Sequence, residues 1–162
     1  LHRVDRRQRQ MCIRDRDEAL ELGATHVINI KEEDVITRIN EITNHNGVDY
    51  AFETAGNPTA LQNALAVLNN GGTLAIVGLP QQENIELNIP FIANHEINVV
   101  GIFRYANTYP MGLEMLSSTA ANLNTMFTDS YDLEDAQEAM ERARTNKSGS
   151  LKVMVYPNGK LK

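Results

Sequence analysis

An α/β fold, a doubly wound parallel sheet with helices on both faces, is predicted for this 162-residue chain by three observations. Short runs of strand length alternate with segments of helical period. Several runs are continuously apolar, the composition of strands covered on both sides. Asn, Gly and Pro punctuate the junctions between them.

The elements follow in order from Asp17. DEALELGA ends a helix, with Gly23 just past its C-terminus. THVINI reads as a short strand through Val27, Ile28 and Ile30. KEEDVITRINEITNHNG reads as a helix, because Val35, Ile36, Ile39 and Ile42 share one face, and Asn46-Gly47 stops it. VDYAFET is the next strand. Asn57 then caps a helix with Pro58 at its first position, where a missing N–H costs nothing. Its buried stripe is Leu61, Ala64, Leu65 and Leu68, and NNGG ends it. TLAIVG and INVVGIF are strands separated by a polar loop. A helix over 110–117 carries Leu113, Met115 and Leu116. A last helix, DLEDAQEAMERAR, has Asp132 as N-cap and Leu133, Ala136, Met140 and Ala143 facing inward. KVMVYP closes as a strand.

Composition excludes several classes. Hydrophobic residues are 42% and charged ones 22%, ordinary values for a globular chain long enough to bury a core. No run approaches the roughly 20 apolar residues of a membrane span, and no signal peptide is visible. One cysteine, Cys12, allows no internal disulfide, so a cytoplasmic location is expected. The net charge of −6 argues against nucleic-acid binding.

The first sixteen residues differ from the rest. LHRVDRRQRQMCIRDR has six Arg against two Asp, a local +4 that leaves −10 on residues 17–162. The segment reads either as a basic arm for an acidic partner or as sequence not native to the domain. The second reading is preferred, since MCIRDR resembles translated sequencing-adapter read-through. Domain organisation is then 1–16 non-native, 17–119 the wound-sheet domain, and 120–162 a C-terminal segment.

Ligands of parallel sheets sit beyond the carboxyl ends of the strands, and three of those ends are unusual here. Thr54, Ala55 and Gly56 are small residues at a turn into a helix. Val77, Gly78 and Leu79 offer a glycine that admits a flat ring against the main chain. Ile102 and Phe103 lead an apolar strand into Arg104 and Tyr105, a permanent cation and a phenol that packing does not require.

From Leu22 to about Pro157 these residues resemble the C-terminal half of the medium-chain, zinc-dependent dehydrogenases. The matching stretches are ELGATHVIN, GVDYAFETAGNPTALQNAL, LNNGGTLAIVGLP and VVGIFRYANTYPMGLEML. FRYANTYP is closest to the sorbitol (polyol) branch. The resemblance implies that 17–119 is an incomplete dinucleotide-binding domain, of Rossmann type and truncated at its N-terminal strands, and that 120–162 returns to a catalytic domain outside this chain. It implies an oxidoreductase that transfers hydride from a polyol such as sorbitol or xylitol to NAD, with zinc in the full-length parent.

It further implies that Val77, Gly78 and Leu79 pack along NAD, and that Ile102, Phe103 and Arg104 meet the nicotinamide carboxamide. Thr54, Ala55 and Gly56 would lie beside the adenosine half. Arg104 and Tyr105 would reach polyol hydroxyls, for which a guanidinium fork and a phenol have suitable donors and acceptors. A homodimer or homotetramer is implied for the parent.

The match has gaps. No G-x-G-x-x-G occurs, so no phosphate-binding turn is assigned. His2, His26, His45, His95 and Cys12 show no ligand spacing, and no metal site or catalytic residue is assigned to this chain. The chain alone is expected to bind NAD poorly and to lack activity. Alternatives remain: a threonine, butanediol or aryl-alcohol dehydrogenase, a zinc-free reductase of the same superfamily, or a non-catalytic domain with a basic arm.

Overall fold

The structure, a computed structural model, describes residues 13–118, 123–145 and 149–159. Most of the Arg-rich segment, with His2 and Cys12, lies outside the described residues. The chain divides into two compact units, one of residues 30–115 and one combining 1–29 with 116–162.

Helix α1 (Ile13–Glu21) ends at Gly23, whose φ of +103° only glycine adopts without strain. The Ala24 N–H donates to the Ala19 carbonyl at 2.8 Å and the Gly23 N–H to Leu20 at 3.1 Å, the paired bonds of a Schellman ending. THVINI, expected as a strand, is not one. An apolar run becomes a strand only where a neighbour completes its ladder, and no described strand forms a ladder with it.

In the 30–115 unit, α2 (Val35–Ile42) starts later than expected because Asp34 caps it. The Asp34 carboxylate accepts from the Thr37 N–H at 2.9 Å and its hydroxyl at 2.8 Å. These bonds hold the Asp34 carboxyl below its ordinary pKa. The helix also stops early, at Thr43, where Asn44 and His45 turn left-handed. Strand β1 (Val48–Glu53) follows, then α3 (Pro58–Ala66). Asn57 caps α3 as expected, accepting from Thr59 at 2.9 Å and Ala60 at 3.2 Å.

Strand β2 (Leu68–Ile76) absorbs the NNGG expected to close α3. Val48 pairs with Leu68 but Tyr50 with Thr73, so NNGG forms a bulge, with Gly71 at φ +75°. Helix α4 (Ile89–Asn94) replaces part of the expected polar loop. Asn88 caps it through the Phe91 N–H at 3.0 Å. His95 ends α4, its ring stacked on Phe91 at 4.0 Å and its Nδ1 3.0 Å from the Phe91 carbonyl oxygen. Strand β3 (Asn98–Gly101) is shorter than INVVGIF.

The sheet is parallel in the order β1-β2-β3. Because the order runs one way, right-handed crossovers carry α3 and α4 to the same face. Their side chains meet strand residues in one core of Leu61, Leu65, Leu68, Leu74 and Ile97, with Phe91 and Ile92 packed against it. Leu74 is wholly buried at its centre. Phe52, Ala75 and Val100 are aligned by register on the other face, where Phe52 and Val100 are exposed. Burial on both faces, expected of the β3 run, is therefore not found. β3 has one ladder partner, and all four of its residues are exposed.

Helix α5 (Tyr109–Ser118) forms where expected. In the other unit, a 3₁₀ turn at Leu123–Met126 leads into β4 (Phe127–Asp132), a strand not anticipated. β4 pairs in parallel with β5 (Lys152–Tyr156), the KVMVYP strand. A second 3₁₀ turn (Leu133–Asp135) opens α6 (Ala136–Thr145), and Asp132 makes no side-chain cap bond to it.

The inward face of α6 is corrected. Leu133, Met140 and Ala143 are exposed; Ala139 is buried, flanked by half-buried Ala136 and Arg142. Two alanines let the helix approach the strands, and Arg142 reaches in to place Nε 2.8 Å from Asp129 Oδ1. The other Asp129 oxygen accepts from Ser150 Oγ at 2.5 Å and Thr128 Oγ1 at 2.6 Å. Among the described residues no helix is long and apolar enough to cross a membrane.

Two outcomes are expected. Hydrogen bonds from Ser150, then Thr128, with Arg142 adding a bond and its charge, lower the Asp129 carboxyl to about 2. Its unfolded value is about 3.9, so the stabilisation is complete above that pH and is lost as pH falls towards 2. Urea unfolding of Asp129→Asn should show lower stability at pH 7 and a shallower decline between pH 4 and 2.5 than the parent. Asn57→Ala should cost about 1 kcal/mol, read from the urea midpoint at pH 7.

Candidate functional site

All three parallel strands of the 30–115 unit finish at one edge. Register aligns Glu53 with Ile76 and Ile76 with Gly101, so the three segments singled out in the sequence emerge side by side. The strand ends expected to converge do so.

The first two turns are tied together by Glu53, which is 4% exposed. Its carbonyl oxygen accepts from both the Val77 and the Gly78 N–H, each at 2.8 Å. Its carboxylate Oε1 accepts from the Ala55 N–H at 2.8 Å and lies 3.5 Å from the Asn57 N–H. One acid thus bonds to the turn after its own strand and to the turn after the neighbouring strand.

Glycine is required on both sides of this junction. A Cβ on Gly78 would lie 2.2 Å from the Gly56 nitrogen and 2.6 Å from Glu53 Oε2. Gly56, at φ +63°, passes so close to Leu79 that a Cβ would lie 2.5 Å from its carbonyl oxygen. The close approach expected at these glycines is therefore made by the chain itself, and Gly78 is buried. The residues facing outward are their neighbours: Thr54 and Ala55 are exposed, Val77 is 41% exposed and Leu79 68%.

The third segment is anchored by the Ile102 N–H, which donates to the Ile76 carbonyl at 2.9 Å. Beyond it the chain turns sharply. Arg104 has φ +56°, a left-handed conformation that strains a residue with a side chain. Its guanidinium carbon sits 4.8 Å from the Phe103 ring centroid, a cation–π contact worth about 0.5–1 kcal/mol at an exposed site. Arg104 forms no ion pair among the described residues. Tyr105 leans on Tyr109, with ring centroids 5.3 Å apart and tilted by 59°.

Ile102, Phe103, Arg104 and Tyr105 are all exposed. With Val77 and Leu79 they form an apolar rim along the carboxyl edge, ending in a cation and a phenol. Above Gly101 a Cβ would meet nothing within 4 Å, so the main chain is open there. Such an edge can take a flat aromatic ligand and offers polar groups at one end. A separate hollow of about 350 Å³ lies between α3 and the start of α4, lined by Gln62, Leu65, Leu87 and Phe91. No strand-end residue lines it.

None of the described histidines stands at the edge. His26 Nδ1 is 3.1 Å from the Thr25 hydroxyl, His45 lies in the turn after α2, and His95 ends α4. Among the described residues no three His, Cys, Asp or Glu side chains are grouped to hold a metal ion, so these residues do not fit a zinc site. Glu53, which stands at this strand end in the sequence with no role assigned to it, is the residue that joins the two turns. Its only signal was an acid at the end of an apolar strand immediately before small residues.

Residues 11–118 match the family of zinc-binding dehydrogenases. The sorbitol dehydrogenase of Bacillus subtilis is 59% identical over 140 residues, covering 86% of this chain and 40% of its own length. Among solved structures, the 2R,3R-butanediol dehydrogenase of Bacillus subtilis superposes with a TM-score of 0.77 at 30% identity, over 89% of this chain and 41% of that one. A protein from Sinorhizobium meliloti, described as a zinc-binding dehydrogenase and bound to NADP, gives 0.80 at 26% identity, over 91% and 43%. The chain spans about two-fifths of the length of the curated relatives it matches. With its parallel α/β sheet, its three convergent strand ends and a family match over most of its length, the chain belongs to the zinc-binding dehydrogenases.

Proposed function

We propose that the chain is part of a longer polyol dehydrogenase and that the carboxyl edge of its 30–115 sheet holds a nicotinamide cofactor. The observation that carries this reading is the rim itself: Val77, Leu79, Ile102 and Phe103 exposed in a row beside a guanidinium that has no ion pair among the described residues. Similarity to a sorbitol dehydrogenase and to a structure bound to NADP supports the class of ligand. NAD is the cofactor proposed, and sorbitol- or xylitol-like polyols the substrates.

When bound, the cofactor supplies the hydride acceptor. The chain's own residues bind and orient. Val77 and Leu79 shield one side of a flat ring from water, and Ile102 and Phe103 extend that apolar surface. Thr54 and Ala55, after β1, are assigned to the other end of the cofactor beside the adenosine. Arg104 presents several fixed N–H donors, matched to neighbouring hydroxyl oxygens, and its stacking on Phe103 limits where the fork points. The Tyr105 hydroxyl donates to or accepts from the same polyol. Zinc ligands and the groups that move protons belong, in this reading, to other parts of the protein, with 120–162 returning to that catalytic domain.

The location proposed is the cytoplasm, and the assembly a dimer or tetramer. The exposed, singly paired β3 edge is a suitable surface for a second copy.

Two measurements check the reading. In the full-length protein, Arg104→Ala should lower kcat/KM on sorbitol or xylitol by about 10- to 100-fold, the loss of one charge-assisted hydrogen bond. Tyr105→Phe should lower it by less, and simple alcohols should be spared by both. Equal loss on every alcohol would remove the polyol assignment. The 162-residue chain by itself, titrated with NADH and followed by fluorescence, should show no saturable site at micromolar cofactor and no turnover.

A further inference from the structure

We propose that Glu53 is a positioning residue for the cofactor edge, acting by the reach of its carboxylate and not by its charge. The inference rests on the nicotinamide reading above and deepens it. Glu53 itself does not belong to the exposed rim, being 4% exposed, yet it bonds to two of the segments that build it. Its carbonyl oxygen takes the Val77 and Gly78 N–H groups, and its carboxylate takes the Ala55 N–H.

The spacing leaves little slack. Oε2 lies 2.6 Å from the point where a Cβ on Gly78 would stand, and Gly56 and Gly78 are in backbone contact. A carboxylate of this length therefore wedges the 54–57 turn against the 77–79 turn. Retracting it by one methylene would leave the Ala55 N–H without its acceptor and let the two turns drift. Val77 and Leu79, whose side chains face the proposed ring, would move with them. An uncharged amide of the same length would keep the Oε1 acceptor where it is.

The consequence is an unusual order of variants. In the full-length protein, Glu53→Gln should retain KM for NAD within about threefold of the parent. Glu53→Asp, which keeps the charge and loses the reach, should raise it tenfold or more. In both variants, kcat and the polyol KM at saturating NAD should stay within about twofold, because Arg104 and Tyr105 hang from β3. NADH fluorescence titration should give the same ranking in Kd, and far-ultraviolet circular dichroism with a thermal melt confirms that each variant is folded.

The reverse order, with Gln impaired and Asp normal, overturns the proposal in favour of a role for charge. So does a folded Asp variant with unchanged KM for NAD, or one in which kcat falls while that KM does not. Should Glu53→Asp fail to fold, Gly78→Ala crowds the same junction from the opposite side and should raise KM for NAD selectively. A folded Gly78→Ala protein with normal cofactor affinity then refutes the wedge. If the unaltered full-length protein binds neither NADH nor NADPH, the nicotinamide reading falls and takes this inference with it. Normal binding by the parent combined with an indifferent Asp variant removes this inference alone.

Discussion

The carboxyl edge of the sheet depends on one buried acid. An ionisable side chain taken out of water is costly unless it is hydrogen-bonded, and Glu53 Oε1 accepts from the main chain of the turn that follows it. Its carbonyl oxygen meanwhile collects two N–H groups from the next strand end. Because both sets of bonds go to backbone, the junction does not depend on which side chains decorate the turns. That leaves Thr54, Ala55, Val77 and Leu79 free to face outward, while glycine is confined to the two positions where the turns touch.

Strand order sets which surfaces this unit leaves open. β1-β2-β3 runs without reversal, so successive right-handed crossovers place α3 and α4 on one side. Leu74 is sealed between sheet and helices while Phe52 and Val100, one residue out of phase, are exposed. The two-residue period of a strand converts a one-sided helix layer into this contrast. Ligand crevices of wound sheets lie where strand order reverses, and no reversal occurs among the described residues. The edge seen here is accordingly an open rim and not an enclosed pocket.

Capping chemistry makes the start of α3 legible, whereas Asp132, an expected cap of the same kind, makes no side-chain cap bond. Asn57-Pro58 announces α3, and a similar pair two positions apart, Asn88 and Pro90, starts α4 within the segment expected as a polar loop. FTDSYD was missed as a strand because its apolar residues are only Phe127 and Tyr131, whereas its pairing with β5 is a long-range fact. The inward face of α6 was misjudged because size was taken as the guide. The helix turns small Ala139 inward, pairs Arg142 with Asp129, and leaves Met140 outside. THVINI has the composition of a strand, but no described strand forms a ladder with it. At the candidate site the outward residues were legible as chemistry out of place on a core strand, while Glu53 was not. An acid ending a strand looks the same in sequence whether it is solvated or buried.

Arg104 brings these threads together. A left-handed backbone at a residue with a side chain costs of order 1–3 kcal/mol, and a surface cation gains nothing from it. The contact with Phe103, at about 0.5–1 kcal/mol, does not cover that cost. The turn is held instead by what precedes it: β3 in register with β2, and the Ile102 N–H on the Ile76 carbonyl. Among the described residues the Arg104 guanidinium meets no counter-ion, and in the proposed reading the sheet behind it holds that cation ready for a polar ligand.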